Sequence, residues 1–432
     1  MCALSDRKGT STPIRRRTFL AGAAGAGVAA LGSGTAAAAA TSAPALPPPA
    51  DSGIDHIVLV MMENRSFDHF LGWLPGADGR QRGLSFLDPN GVSHRTYHLR
   101  NYQGCGHPGP GHSYQDGRVQ LNGGACDGWL RSTGSDIYAI GYYGSADLAF
   151  YGQAAPYWTT FDRYFAATMG PTQPNRFYQH SAQSDRIRNS TVIATMPTIW
   201  DRLTAAGIPA AYYYTDVPFL AHYGDKYMAI TRAYPDFLAD CAAGTLPAVS
   251  FVDPKFLYGG QGTSADDHPH ADIRAGQSFL DQVYDAVTSS PNWARTVLVV
   301  NYDEWGGFFD HVAPDTAPDV NPKWGLRGFR VPCLVVSPLA RRGHVAHGVF
   351  DHTSVLSMIE WRWGLAALTP RDADANNLAT VLDFAAPPQL AAPRYDIGPV
   401  VVTPCPTGDF DDYEDWRALK AKAVADGWRL RS

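Results

Sequence analysis

The chain is poor in charge and in cysteine, and it lacks several common signatures. Charged residues make up 18% of 432 positions while hydrophobic ones make up 45%, a balance that excludes a disordered chain. The net charge of −6 is mild and provides no general attraction for nucleic acid or an anionic membrane. Beyond the amino-terminal region no stretch approaches the roughly 20 apolar residues of a membrane span. A Gly-x-Ser-x-Gly elbow is absent, which argues against an ordinary α/β-hydrolase lipase. Walker and dinucleotide-binding loops are missing too, as is zinc-type Cys/His spacing.

The amino terminus predicts an export signal. Arg15-Arg16-Arg17-Thr18-Phe19-Leu20 precedes an Ala/Gly-rich stretch from Ala21 to Ala40, followed by small residues and Pro47-Pro48-Pro49. The Arg16-Arg17-x-Phe19-Leu20 core is of twin-arginine type, so residues 1–45 are expected to be removed. The expected partner is the twin-arginine export machinery, and the destination is the cell envelope or the medium. Cleavage between Ala36 and Ala45 would leave Cys105, Cys126, Cys241, Cys333 and Cys405, an odd number that allows at most two internal disulfides. Cys105 and Cys126 bracket a Gly-rich loop and are the expected pair. Cys333 lies in an apolar strand and reads as a buried small hydrophobe.

The body, residues 50–385, alternates strand and helix signals. Ile57-Val58-Leu59-Val60-Met61-Met62 reads as a buried parallel strand ending at Glu63-Asn64. Thr296 to Tyr302 reads the same way and ends at Asp303-Glu304. Further strands are predicted at Pro209 to Tyr214, Ala248 to Val252 and Val331 to Ser337. Helices are predicted from near Ser66, over Thr198 to Ala206, over Ile273 to Ser289 and over Thr353 to Leu365. Residues 76–150 are Gly-, His- and Tyr-rich and suggest long loops over a site. The pattern predicts an α/β fold with a mostly parallel sheet covered by helices on both faces. Residues 386–432 form a Pro-rich then acidic tail with a helix between Tyr413 and Trp428.

Strands ending in acidic clusters suggest one site built from both tips. Glu63, Asn64, Asp303 and Glu304 offer oxygen ligands only, a set that favours one hard divalent ion such as Mg²⁺, Ca²⁺ or Mn²⁺. The bland alternative is a set of exposed turn carboxylates. Gly170-Pro171-Thr172-Gln173-Pro174 restricts the backbone enough to present one hydroxyl rigidly. A threonine in a tight turn bonding its own backbone is the competing reading.

Four segments in order resemble a known family. Glu63-Asn64-Arg65-Ser66-Phe67-Asp68-His69, Thr172-x-Pro174-Asn175-Arg176, Asp303-Glu304-x-Gly306-Gly307-x-x-Asp310-His311 and Gly328-Phe329-Arg330-Val331-Pro332 are similar to motifs of the phosphoesterases that include non-specific phospholipases C and some bacterial acid phosphatases. The resemblance covers roughly residues 54–365. It implies an alkaline-phosphatase/sulfatase-like fold, a metal held by Glu63, Asn64, Asp303 and Glu304, and Thr172 as nucleophile or as a metal-ligating hydroxyl. His112, in Gly111-His112-Ser113, and His268, in Asp266-Asp267-His268-Pro269, also match family segments. They are expected to bind phosphoryl oxygens or to protonate the leaving group. Arg176 reads equally as a phosphate clamp or as a structural ion pair, and His311 as a supporting residue. Ser66 and the Asp351–Ser354 segment read as helix starts.

The implied activity is that of an exported, metal-dependent phospholipase C releasing diacylglycerol from phospholipids through Thr172, with transient contact at a membrane surface. An acid phosphatase acting on soluble monoesters is the alternative. A secreted lipid- or phosphate-binding protein without catalysis is a third reading, from a different class.

Overall fold

The computed structural model describes residues 45–406 and 414–430. The export signal expected over residues 1–45 falls, up to residue 44, outside the described residues, as do Asp409 to Tyr413 of the acidic tail. The described residues all belong to one compact unit.

An eight-stranded sheet carries the architecture. Its strands are β1 (His56–Met62), β2 (Thr159–Phe161), β3 (Ala210–Tyr214), β4 (Thr231–Ala233), β5 (Val249–Val252), β6 (Thr296–Tyr302), β7 (Cys333–Val336) and β8 (His344–Ala346). Their spatial order is β8-β2-β7-β6-β1-β5-β3-β4. All neighbours pair in parallel except β7, which runs antiparallel to both β6 and β2. The expectation of a mostly parallel sheet therefore holds. Ile57 to Met62 and all of β6 are buried on both faces, as an unbroken Val/Leu/Ile run requires.

The register decides where the strands end relative to one another. His56 pairs with Thr296 and Met62 with Tyr302, so Glu63 and Asp303 emerge side by side. On the other flank Val60 pairs with Val252, which brings Asp253 to the same edge. That carboxyl edge is where open α/β sheets bind ligands.

Helices follow the sequence pattern with shortened ends. They include α1 (Phe67–Leu71), α2 (Tyr114–Leu121), α3 (Thr172–Ser181), α4 (Ile199–Ala205), α5 (Ile273–Thr288), α6 (His352–Trp363) and α7 (Trp416–Ala425). Helix α6 starts with a capping box between Asp351 and Ser354, as expected. Ser66 precedes α1 but makes no cap; its hydroxyl donates to the Phe309 carbonyl at 2.6 Å. The stretch between 76 and 150, expected to form long loops, also contains α2 and several short strands.

The disulfide expectation is overturned. Cys105 bonds Cys405, 300 residues away, while Cys126, Cys241 and Cys333 are free and buried. The Cys126 side chain packs into a small core with Trp129, Met169, Trp305 and Phe329, which withdraws it from its sequence neighbour. Among the described residues no helix is long and apolar enough to cross a membrane.

Candidate active site

Thr172 does not sit in a loop, as its prolines suggested; it is the first residue of α3, with Pro171 before it. Pro174 is tolerated there because first-turn N–H groups have no intrahelical partner. Asn175 explains its own place in the motif. Its side-chain oxygen accepts from the Thr168 N–H at 2.9 Å, and its Nδ2 donates to the carbonyls of Gly170 and Pro171 at 2.7 and 3.2 Å. The loop entering the helix is thereby locked, and with it the Thr172 hydroxyl.

That hydroxyl donates to Asn64 Oδ1 at 3.2 Å. Asn64 has φ of 63°, a left-handed conformation that turns the chain sharply after β1, and its N–H donates to Asp303 Oδ1 at 3.1 Å. Gly306 has no freedom to be anything else: a Cβ there would lie 2.1 Å from the Asn64 carbonyl oxygen. At Gly307 a Cβ would meet the Gly111 carbonyl at 2.6 Å, so the glycine pair lets the loop carrying His112 settle onto the β6 tip.

Arg176 is a structural hub rather than a free phosphate clamp. Its Nε donates to Asp303 Oδ2 at 3.1 Å, Nη2 lies 3.3 Å from Glu63 Oε1, and Nη1 lies 3.5 Å from Asp253. Nη2 also donates to the carbonyls of Met61 and Met62, both at 3.3 Å. One guanidinium thus ties the tips of three neighbouring parallel strands.

The expected metal set is brought together. Glu63, Asn64, Thr172, Asp303 and Glu304 are all 0% exposed. Glu63 Oε1 and Oε2, Asn64 Nδ2 and Glu304 Oε1 make no hydrogen bond among the described residues. Burial raises the Glu63 and Glu304 carboxyls well above the usual carboxylate range, helped at Glu63 by the charge of Asp266 and opposed at Glu304 by that of His112. Asp303 is pushed up to about 6 by burial, against the pull of Arg176. Arg176 and His112 offset part of this charge; three buried carboxylates in one cluster remain costly unless a further positive charge joins them. A hard divalent cation fits this oxygen set.

His112 and His268 approach the same place from two loops. His112 Nε2 lies 3.8 Å from Glu304 Oε1 and 3.1 Å from Glu414 Oε1, while His268 Nε2 lies 3.6 Å from that same Glu414 oxygen. Each ring is oriented by a backbone carbonyl at Nδ1, from Pro110 for His112 at 2.8 Å and from Pro269 for His268 at 3.0 Å. Burial works against a charged His112, but Glu304 and Glu414 outweigh it and hold the imidazolium up to about 10. Beside the histidines opens a pocket of about 370 Å³ lined by residues that include Ser113, Pro171 and Asn189.

The pattern of the phosphoesterase family matches residues 54–366. The chain belongs to the phosphoesterase family. Phospholipase C B of Mycobacterium tuberculosis is 33% identical, over 79% of this chain and 80% of that protein. Phospholipase C A of the same organism is 31% identical over 88% and 87%. Non-specific phospholipase C1 of Arabidopsis thaliana is 31% identical over 74% and 69%. Among solved structures, a protein of the alkaline phosphatase superfamily from Vibrio parahaemolyticus is similar at 11% identity and a TM-score of 0.38, over 74% and 68% of the two chains. This phosphoesterase is a hydrolase of phosphoric ester bonds.

The remaining motif residues form a second hub. Arg330 Nη2 donates to Asp68 Oδ1 at 3.1 Å and its Nε to Asp310 Oδ1 at 2.9 Å, and His311 Nδ1 meets Asp68 Oδ2 at 2.6 Å. Ligand atoms of Asp68, Asp310 and His311 lie within 4.8 Å of one another, close enough to hold an ion. Each group holds an arginine, Arg330 here and Arg176 beside Glu63, but the carboxylate oxygens without a hydrogen bond among the described residues are those of Glu63 and Glu304. Two further site residues carried no local signal. Asp253 follows a short strand like any turn aspartate, and Glu414 lies in an acidic tail.

Proposed function

We propose that this phosphoesterase is an exported phospholipase C that uses Thr172 as nucleophile and one divalent cation. The convergence of Thr172, Asn64, Glu63, Asp303 and Glu304 into one buried cluster carries the reading. Glu63, Asn64, Asp303 and Glu304, with the Thr172 hydroxyl, would hold the cation, which when bound neutralises phosphate charge and lowers the pKa of a neighbouring hydroxyl.

The chain's own residues do the rest. Asn64 fixes the direction of the Thr172 hydroxyl, and the start of α3 adds the favourable N-terminal end of a helix toward an anion. The Thr172 hydroxyl gives up its proton to solvent, its oxygen attacks phosphorus in line, the bond to the leaving alcohol breaks, and His112 or His268 gives the alcohol oxygen a proton. Water then attacks the phosphothreonine, Thr172 leaves, and the histidine regains a proton. His112 and His268 also bind the non-bridging oxygens through Nε2, since their Nδ1 atoms are engaged by carbonyls. With a phospholipid the alcohol is diacylglycerol, drawn from a transiently contacted lipid surface.

The relatives named phospholipase C support the diester reading over a monoesterase. Export is supported by the Arg16-Arg17 signal and by the Cys105–Cys405 disulfide, a bond that persists in oxidising compartments. The deciding experiment pairs phosphatidylcholine with a soluble aryl phosphate. Diacylglycerol release is expected; strong monoester turnover without it would replace phospholipase C by acid phosphatase. Amino-terminal sequencing of secreted protein should find a start between residues 36 and 46, and Arg16→Lys with Arg17→Lys should retain the chain in the cytoplasm.

A further inference from the structure

A carboxylate from the carboxy-terminal segment stands where the two histidines converge. Glu414 precedes α7 and is 2% exposed. Its Oε1 faces His112 and His268 at 3.1 and 3.6 Å, and its Oε2 accepts from Asn189 Nδ2 at 2.6 Å. Its carbonyl accepts from the side chain of Gln173, the residue after Thr172, at 3.0 Å. Three separate chain segments therefore aim donors at one anionic side chain. A carboxylate presents paired, charged, acceptor-only oxygens, as does the non-bridging edge of a phosphoryl group.

Burial supplies the second, independent observation. The pocket beside the site reaches His112, His268, Pro171 and Asn189 and is bounded by Asp415, yet Thr172, Glu63, Asn64, Asp303 and Glu304 line no part of it. All five are fully buried. A substrate entering by this pocket meets the histidines and the Glu414 segment before it can meet the threonine.

The segment is docked firmly enough to hold that position. Trp416 stacks on Phe256 with ring centroids 4.0 Å apart, Leu419 and Ala423 are fully buried, and Trp428 Nε1 donates to the Gly224 carbonyl at 3.1 Å. Burial opposes its charge, but His112 and His268 hold the Glu414 carboxyl well below the usual carboxylate range, even though it joins a cluster that already holds Glu63, Asp303 and Glu304. The two histidines and Asn189 favour it, and the neighbouring carboxylates oppose it. An incoming phosphate can use the same donors.

We infer that Glu414 is an internal competitor of the substrate: its carboxylate occupies the phosphoryl subsite between His112 and His268, and it must withdraw before a phosphate ester reaches Thr172. The ligand displaced against it is any phosphate group, whether free or on a lipid head group. The inference rests on the role given above to the two histidines.

The test measures inorganic phosphate binding by calorimetry on the full chain with divalent cation supplied, for wild type, Glu414→Gln and Glu414→Ala. Phosphate should bind about tenfold or more tightly to both variants, the effect of removing one charge-assisted competitor. KM for a soluble aryl phosphate should fall with it. Unchanged or weaker phosphate binding would overturn the inference, as would a lower kcat at constant KM, which would make Glu414 a positioning group for the histidines. Hydrogen exchange over residues 414–425 of the wild type tests the same point without a variant. Exchange should rise when phosphate is added, and no change counts against displacement. Tighter phosphate binding in the variants, with no diacylglycerol released from phosphatidylcholine by the wild type, would leave the inference standing and defeat the phospholipase C reading instead.

Discussion

Thr172 donates its hydroxyl to Asn64 Oδ1 at 3.2 Å across 108 residues of chain. The bond joins the start of a helix to the tip of a central strand, and it sets the threonine facing the acidic cluster. Replacing Thr172 by Ala should lower kcat by roughly 10³-fold, while the loss of one hydrogen bond should cost stability only about 1 kcal/mol. Thr172→Ser should keep part of the activity. Mass spectrometry of acid-quenched enzyme should find phosphate on residue 172; phosphate on a histidine, or none under turnover, would remove the threonine from the chemistry.

Asn64 sustains a positive φ of 63° without being glycine. Asn64→Gly and Asn64→Ala both lose the acceptor for Thr172, and both should lose most activity. They should differ in stability: Ala pays the left-handed backbone penalty and Gly does not, so the Gly variant should be more stable by roughly 0.5–1 kcal/mol. Denaturant titration of the two variants reads that difference directly.

The buried oxygens of Glu63, Asn64, Asp303 and Glu304 should bind a divalent cation in one-to-one ratio. A hundredfold excess over Kd should stabilise the fold by about 2.7 kcal/mol, seen as a rise in unfolding midpoint that chelator reverses. Glu63→Gln and Asp303→Asn should each weaken the binding measured by calorimetry. If both retained wild-type affinity, the cation would have to lie elsewhere, with Asp68, Asp310 and His311 the next group to vary.

Asp267 gives a pH dependence with a definite sign. Burial pushes its carboxyl up to about 7, although the Tyr302 hydroxyl donates to it at 2.6 Å. The folded chain therefore keeps a proton there that the unfolded chain releases near pH 4. The stability owed to this group is present below that pH and is lost as pH rises toward 7. Asp267→Asn should flatten the stability profile between about pH 4 and pH 7 relative to wild type. Parallel profiles would show that the carboxyl ionises normally.

The Cys105–Cys405 bond closes a loop of sequence separation 300 and ties the carboxy-terminal segment to the loop that leads to His112. Cys405→Ser should cost about 2–4 kcal/mol. Cys126, Cys241 and Cys333 are buried, so a thiol reagent should reach them only after unfolding. Peptide mapping without reduction should recover Cys105 joined to Cys405 and not to Cys126.

Local signals settled much of this molecule. Unbroken apolar runs announced β1 and β6, because only a strand covered on both faces tolerates them, and each run named the acids at its end. The spacing of Ile273 to Thr288 announced α5 in the same way. Motif order identified the family, although it did not explain the motifs.

Only the folded arrangement decided how the motifs work. Two arginines join them: Arg176 binds Glu63 and Asp303, and Arg330 binds Asp68 and Asp310. Neither pairing has a local signature: Arg330 and Asp310 are 20 residues apart and the other pairs more than a hundred, so they depend on strand register rather than on spacing. Cys405 and Glu414 were illegible for the same reason. A tail read as Pro-rich, then acidic, with a closing helix returns to the site because Trp416 and Leu419 bury apolar surface there, and a one-dimensional pattern cannot say which distant surface receives them.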